Sequence, residues 1–204
     1  MNCCCDNEGS LDHLRERQRG TLQAVLVINL VMFFVIVAGA IYGKSTSLLA
    51  DSLDNLGDAV TYGLSLFAIT RGPIIKAKVA LFKGGLIFWA AVTVAAQIIY
   101  KFFRPTVPLF EVMGVFSLSG LAANSLCLFL LWRHRRDDVN MSSVWECSRN
   151  DIASNLSVFM AAGAVWITGT GWPDMVVALG LVGLLMRSAI RVISSARAEL
   201  RTTL

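Results

Sequence analysis

The chain has 204 residues, of which 55% are hydrophobic and only 16% are charged, and its formal net charge at pH 7 is +4. Soluble domains carry about a quarter charged residues, so this composition excludes an ordinary soluble domain and indicates extensive contact with lipid. The small positive charge does not indicate nucleic-acid binding, and we expect no nucleic-acid partner.

Six segments are apolar and long enough for membrane-spanning helices, each of which needs roughly 20 mostly apolar residues. In chain order they cover residues 22–43, 47–70, 79–100, 109–132, 142–168 and 173–193. The second and fifth are the least apolar, but their downstream halves are fully apolar, which favours spans. We therefore predict an all-α membrane protein with an N-terminal tail (1–20), a transmembrane domain of six helices (21–194) and a short C-terminal tail (195–204).

The distribution of Lys and Arg predicts the orientation of these spans. With the N-terminus inside, the outer connections contain only Lys44, Lys101 and Arg104, and most other basic residues lie at inner ends. Because inner loops are enriched in Lys and Arg, we expect both termini in the cytoplasm of a multi-pass protein, in the cell (inner) membrane. The five cysteines do not form a pattern typical of disulfides, which agrees with a reducing compartment.

The second segment carries acidic side chains at membrane depth. Asp54 and Asp58 are four residues apart and share one helix face, and Asp51 lies near that face one turn earlier. Each isolated charge at this depth costs about 2.5 kcal/mol or more, so such a cluster should be protonated, paired with a cation or open to water. A single membrane aspartate is often structural, and we interpret Asp51 and Asn55 as supporting or entry-path residues.

The fifth segment offers a matching pair, Cys147 and Asp151, also four residues apart. Two helices that each present ligands at this spacing can supply the four donors of a tetrahedral divalent site. The predicted metal ligands are Asp54, Asp58, Cys147 and Asp151. Glu146 is the alternative fourth ligand; otherwise Glu146 and Asn150 support the site or line its entry.

Three adjacent cysteines, Cys3, Cys4 and Cys5, lie in the N-terminal tail close to Asp6 and His13. Short Cys/His tracts are typical of metal binding, so this group can capture soft metal ions. The alternative is a disordered tail with incidental thiols.

These motifs resemble those of the cation diffusion facilitator family. The stretch from Ser47 to Asp58 matches the family pattern S-L-L-A-D-x-x-[H/D]-x-x-x-D, and Cys147 to Asp151 followed by Ser154-Asn155 is similar to H-x-x-x-D followed by S-N. Smaller similarities are Arg104-Pro105, Asn124 and Asp174. The resemblance implies six spans, cytoplasmic termini, homodimers, a metal site on segments two and five, and export of metal from the cytoplasm in exchange for protons.

Three departures from the family pattern affect these expectations. Cys147 replaces the usual His, and a soft thiolate favours Zn²⁺ or Cd²⁺ over Mn²⁺ or Mg²⁺. The His-rich motif between segments two and three is absent. The chain ends at Leu204 without the cytoplasmic C-terminal domain, so we expect dimerisation through transmembrane surfaces alone.

We expect a transporter rather than an enzyme, with Zn²⁺ or Cd²⁺ as substrate and protons as the counter-ion. The main alternative is a proton-coupled transporter of organic cations that uses the same acids. An intramembrane metal-dependent enzyme would need a free coordination position and a general base. A protein that binds metal without moving it is distinguished by flux measurements.

Overall fold

The computed structural model describes residues 5–68, 73–132 and 139–203, with side chains placed for residues 19–64, 66, 74, 78, 80–132, 149–198, 200 and 201. Within these residues the chain forms only helices, which confirms the predicted all-α fold. They are α1 (Cys5–Gly43), α2 (Thr46–Ala68), α3 (Pro73–Phe103), α4 (Phe110–Trp132), α5 (Val139–Thr168) and α6 (Trp172–Thr203).

Five of these helices contain stretches long and apolar enough to cross a membrane. Within the described residues these are Arg19–Gly43, Ala80–Phe103, Phe110–Trp132, Arg149–Thr168 and Trp172–Ala198. The helix α2 is not among them, because Asp51, Asp54 and Asp58 lower its hydropathy. It nevertheless lies inside the bundle, since it contacts each of the other five helices.

Three helices extend well beyond the predicted spans, and α5 begins at Val139 instead of residue 142. The helix α1 begins at Cys5 instead of residue 22, α3 covers Pro73–Phe103 instead of 79–100, and α6 continues to Thr203 instead of residue 193. Apolar length marks the part of a helix that lies in lipid, whereas helical hydrogen bonding continues where the side chains become polar. Parts of both predicted tails are therefore helical.

Two connections show how local sequence ends the helices. Ser45 caps α2, because its Oγ accepts a hydrogen bond from the backbone N–H of Leu48 at 3.1 Å, as is typical of serine at this position. Gly169 ends α5 with a φ of 62°, and its N–H donates to the carbonyl of Val165 at 2.8 Å. Glycine adopts this left-handed conformation without steric cost.

The helices pack as a group of four and a pair. The group contains α1, α2, α4 and α5, and the pair α3–α6 packs against α2 and α5. At Gly84 of α3, an added Cβ would overlap the Ile193 side chain of α6, so the two helices approach closely there. Large apolar side chains on the outer surface, such as Phe82, Trp89 and Phe129, are exposed, as expected for a surface in contact with lipid.

Candidate metal centre

The acids of α2 lie on the inner side of the bundle. Asp51 and Asp58 are buried and Asp54 is half-buried. Their spacing of three and four residues places them along one helical face, as the sequence predicts. Leu53, Leu56 and Val60 of α2 line a small cavity together with Leu86 and Ile87 of α3, so an apolar side of α2 faces α3.

The helix α5 brings Asp151 to this stripe. Asp151 is buried, and its carboxyl group lies close enough to that of Asp58 for the two side chains to interact. The charges of Asp54 and Asp51 are also close enough to interact with Asp151. Two carboxyl groups in such contact must share a proton or a cation, because two bare carboxylates repel each other.

Tyr62 is a further member of this contact. Its ring is fully buried, and its hydroxyl lies 3.5 Å from Asp58 Oδ2 as a potential donor. The pair is four residues apart on α2, so the spacing from Asp58 is the sequence signal that could have identified it.

The four predicted ligands are not all brought together by the described residues. No group of three or more His, Cys, Asp or Glu side chains is placed to hold a metal ion among the side chains that the structure describes. The side chains of Cys147 and Glu146 lie outside the described residues, as do those of Cys3, Cys4 and Cys5. A third ligand for an ion between Asp58 and Asp151 would therefore come from a movement of Asp54 or from a side chain such as Cys147.

The predicted supporting residues occupy different environments. Asn55 is buried and donates from Nδ2 to the backbone carbonyl of Asp51 at 2.9 Å. Asn150 is exposed on α5. Asn55 thus holds the turn of α2 that carries Asp51, whereas Asn150 lies about 100° around α5 from the buried Asp151 and faces outward.

A buried thiol that the sequence analysis left unassigned lies near these acids. Cys127 of α4 is fully buried, and the charge of Asp58 is close enough to interact with it. The amide Nδ2 of Asn29, on α1, lies 3.9 Å from Cys127 Sγ. Since Cys127 occurs in an apolar run without an obvious spacing partner, only the packing of α1 against α4 reveals this neighbourhood.

A second buried charge, Asp174, joins three helices at the end of the bundle where α2 begins. Its carboxylate accepts hydrogen bonds from the hydroxyls of Ser45 (2.7 Å) and Ser47 (2.6 Å) and from the backbone N–H groups of Thr46 (2.8 Å) and Ser47 (3.0 Å). It also pairs with Lys101 Nζ at 3.2 Å. We call this set the Asp174 clamp. It is separate from the acids of the candidate centre and is fully satisfied by its partners.

The clamp includes the connection between α1 and α2. Lys101 Nζ also donates to the backbone carbonyl of Lys44 at 2.5 Å. Lys44 has a φ of 52°, which is uncommon for a residue other than glycine. The hydrogen bond from Lys101 therefore helps to hold a turn that the backbone of Lys44 does not prefer by itself.

Taken with its lipid-facing surface, the bundle defines an integral multi-pass membrane protein in which acidic side chains are buried between two helices. The family model for the cation efflux transmembrane domain matches residues 22–201. The chain therefore belongs to the cation efflux (cation diffusion facilitator) family, as its motifs predicted, and it is a transporter of the metal cation efflux class. The comparison with curated proteins gave no match.

Proposed function

We propose that the chain exports Zn²⁺ or Cd²⁺ from the cytoplasm in exchange for protons, at a site formed by Asp54, Asp58, Cys147 and Asp151. The observation that supports this most strongly is the contact between Asp58 of α2 and Asp151 of α5. A divalent ion can replace the proton that the two carboxyl groups share, because ligands must lose protons to coordinate a metal. Metal binding and proton release are thereby coupled at one place.

The transport cycle follows from the cost of buried charge. In the inward-facing state, water reaches the acids and the ion displaces their protons. The ion largely neutralises the carboxylates, which lowers the cost of closing the cytoplasmic side over them. The helices then rock, the site opens outward, and protons from outside recharge the acids and release the metal.

The orientation and assembly of the protein belong to the same proposal. The distribution of basic residues favours both termini in the cytoplasm. In this proposal the protein lies in the inner membrane with the Asp174 clamp at its outer end. Two copies associate through their transmembrane surfaces. Cys3, Cys4 and Cys5 capture soft metal ions at the cytoplasmic side, where thiols remain reduced.

Proteoliposomes containing the purified protein test this function. With a metal-sensitive dye and a pH-sensitive dye, we expect addition of Zn²⁺ or Cd²⁺ to move metal and protons in opposite directions, in a fixed ratio. Metal binding without any flux would contradict transport and indicate a sensor. Metal flux that leaves the pH unchanged would contradict proton exchange.

The thiol of Cys147 gives a separate prediction about metal preference. We expect Cys147→Ala to lower the apparent affinity for Cd²⁺ by about 10-fold or more, because a soft ligand is lost. Cys147→His should restore Zn²⁺ transport but not the full preference for Cd²⁺. Competition of Cd²⁺ against Zn²⁺ in the flux assay measures this. Cys127→Ala is the matched thiol comparison, and an unchanged preference in both Cys147 variants would remove Cys147 from the ligand set.

An organic cation is the alternative substrate, and the contact of Tyr62 with Asp58 is the observation that favours it. Aromatic faces bind organic cations through cation–π contacts. However, the Tyr62 ring packs with Leu22, Val25 and Leu131 in an apolar cluster, which leaves its face to side chains of the protein. The metal ion is therefore the better supported substrate.

A further inference from the structure

Buried oxygen atoms without hydrogen-bond partners are concentrated on α2 and α5. Among the described residues they include Asp51 Oδ2 and Asn55 Oδ1 on α2, and Asp151 Oδ2 and Asn155 Oδ1 on α5. Each of these four residues is more than nine-tenths buried. Native proteins leave few buried polar atoms unpartnered, and a bound ion or water is a common explanation.

The unpartnered oxygens on α2 and on α5 arise from the same local hydrogen-bond pattern between an Asp and the Asn four residues later. Asn55 Nδ2 donates to the carbonyl of Asp51, and Asn155 Nδ2 donates to the carbonyl of Asp151, both at 2.9 Å. Because a backbone carbonyl needs a donor, these bonds also fix which end of each amide is nitrogen. The two amide oxygens are left over and can only accept a hydrogen bond or a cation. The two unpartnered carboxyl oxygens can do the same once their groups have lost their protons.

The register of the two helices places these acceptors along one interface. The chain enters α2 and leaves α5 at the same end of the bundle, so the helices are antiparallel. The contact between Asp58 and Asp151 then puts Asn55 and Asn155 about one turn closer to the end where α2 begins. Asp51 lies one further turn towards the start of α2, and it is still close enough to interact electrostatically with Asp151.

The helix α4 passes close to Asn155 at a glycine, Gly120, which has no side chain. A Cβ added at Gly120 would overlap Asn155 Oδ1 and come within 3.3 Å of Ile36 Cδ1 on α1. The missing side chain at Gly120 leaves room for the amide of Asn155. The amide oxygen of Asn155 thus lies against Gly120 of α4, in a bundle whose other interfaces are largely apolar.

We propose that Asp51, Asn55 and Asn155 form a second station for the divalent cation, built only from oxygen atoms, between the Asp58–Asp151 pair and the end of the bundle where α2 begins. Carboxylate and amide oxygens bind a divalent cation directly or through the water it retains. This station rests on the proposed function, because it lies on the route of the same ion. Oxygen ligands hold a soft ion less tightly than a thiolate, and an ion passes through successive sites only if each lets it go.

Substitutions at Asn155 test the station. Asn155→Leu removes the amide oxygen at similar volume, whereas Asn155→Asp keeps an oxygen there. In the proteoliposome assay with Cd²⁺, we expect Asn155→Leu to lower the maximal rate about 10-fold or more, with less than about 3-fold change in the affinity of the main site. Asn155→Asp should recover about half of the rate or more. A wild-type rate in Asn155→Leu would overturn the proposal, as would equal loss in both variants.

Asn29→Leu is the matched control. Asn29 is also buried, donates from Nδ2 to the carbonyl of Val25 at 2.9 Å, and has an Oδ1 without a partner among the described residues. It lies on α1 beside Cys127 and not on α2 or α5. We expect the maximal transport rate of the Asn29→Leu protein to stay within about 2-fold of wild type. A loss as large as that of Asn155→Leu would mean that any buried leucine has this effect, and would overturn the proposal.

A binding measurement separates the station from the proposed function. Mn²⁺ prefers oxygen ligands and binds thiols weakly, and its electron paramagnetic resonance signal reports the free ion. In Asp58→Asn protein, which lacks the main pair, we expect residual Mn²⁺ binding that Asn155→Leu removes. This result would support the station even if no form of the protein moved metal. Absence of Mn²⁺ binding in the Asp58→Asn protein would overturn the station while leaving metal and proton exchange intact.

Discussion

Asp58→Asn and Asp151→Asn are each expected to reduce metal-driven proton flux by about two to three orders of magnitude. Each substitution removes one charge from a buried contact and leaves the other carboxyl group facing an amide. With the ion bound, each carboxylate is the partner of a buried cation, and loss of one such partner costs about 3–5 kcal/mol. Every 1.4 kcal/mol corresponds to about 10-fold in binding. The shape of each side chain is preserved, so the bundle itself should remain folded.

The two carboxyl groups should also behave as one unit. Groups that act together show effects that are far from additive, so we expect the double variant to be no slower than either single variant. Initial rates of proton movement in proteoliposomes, at a Zn²⁺ concentration well below saturation of the wild type, measure all three forms. Glu111→Gln is the matched control for a lost carboxylate, because Glu111 is exposed in the first turn of α4. Wild-type rates in either single variant would remove the pair from the transport site.

Asp174→Asn is expected to destabilise the folded protein by about 3–5 kcal/mol. The substitution leaves the ammonium group of Lys101 buried beside a neutral amide. It also weakens the hydrogen bonds that the carboxylate accepts at the start of α2, which are charge-assisted and therefore stronger than neutral ones. Thermal unfolding of the protein in detergent should begin at a markedly lower temperature than in the wild type.

Two comparisons separate the charge from the hydrogen bonds of the Asp174 clamp. Ser47→Ala removes one hydroxyl donor and should cost only about 1 kcal/mol. Lys101→Met combined with Asp174→Leu replaces the pair by apolar groups and should recover part of the loss in Asp174→Asn. If Asp174→Asn unfolded at the wild-type temperature, the ion pair would contribute nothing measurable to the fold.

The helices and the acidic face of α2 could be predicted because both depend on short-range patterns. Apolar length and the spacing of Asp51, Asp54 and Asp58 are local properties of the sequence. The ends of α2, of α4 and of the C-terminal part of α5 lie within a few residues of the predicted segment ends, but the helical extensions to Cys5 and Thr203 were not predicted. Those extensions depend on backbone hydrogen bonds that continue where side chains become polar, and hydropathy is insensitive to them.

Contacts between helices distant in the chain could not be predicted in this way. The contact of Asp58 with Asp151 depends on the register of α2 against α5, and the clamp depends on α3, α6 and the start of α2 meeting at one point. The family resemblance implied a site on segments two and five, which remains a prediction, and it pointed to Asp174 without indicating a role. The assignment of Cys147 remains a prediction, since its side chain lies outside the described residues.

Because α3 and α6 approach closely at Gly84, we expect these two helices to move together as one rigid unit. Interlocked side chains such as Ile193 resist sliding, because packed interfaces change between discrete arrangements and do not deform gradually. Spin labels placed across α3 and α6 should therefore give one narrow distance distribution whether or not metal is present. Labels that join this pair to α5 should give two distributions whose weights change with metal. The α3–α6 pair is thus the internal reference frame against which any movement of the other helices can be measured.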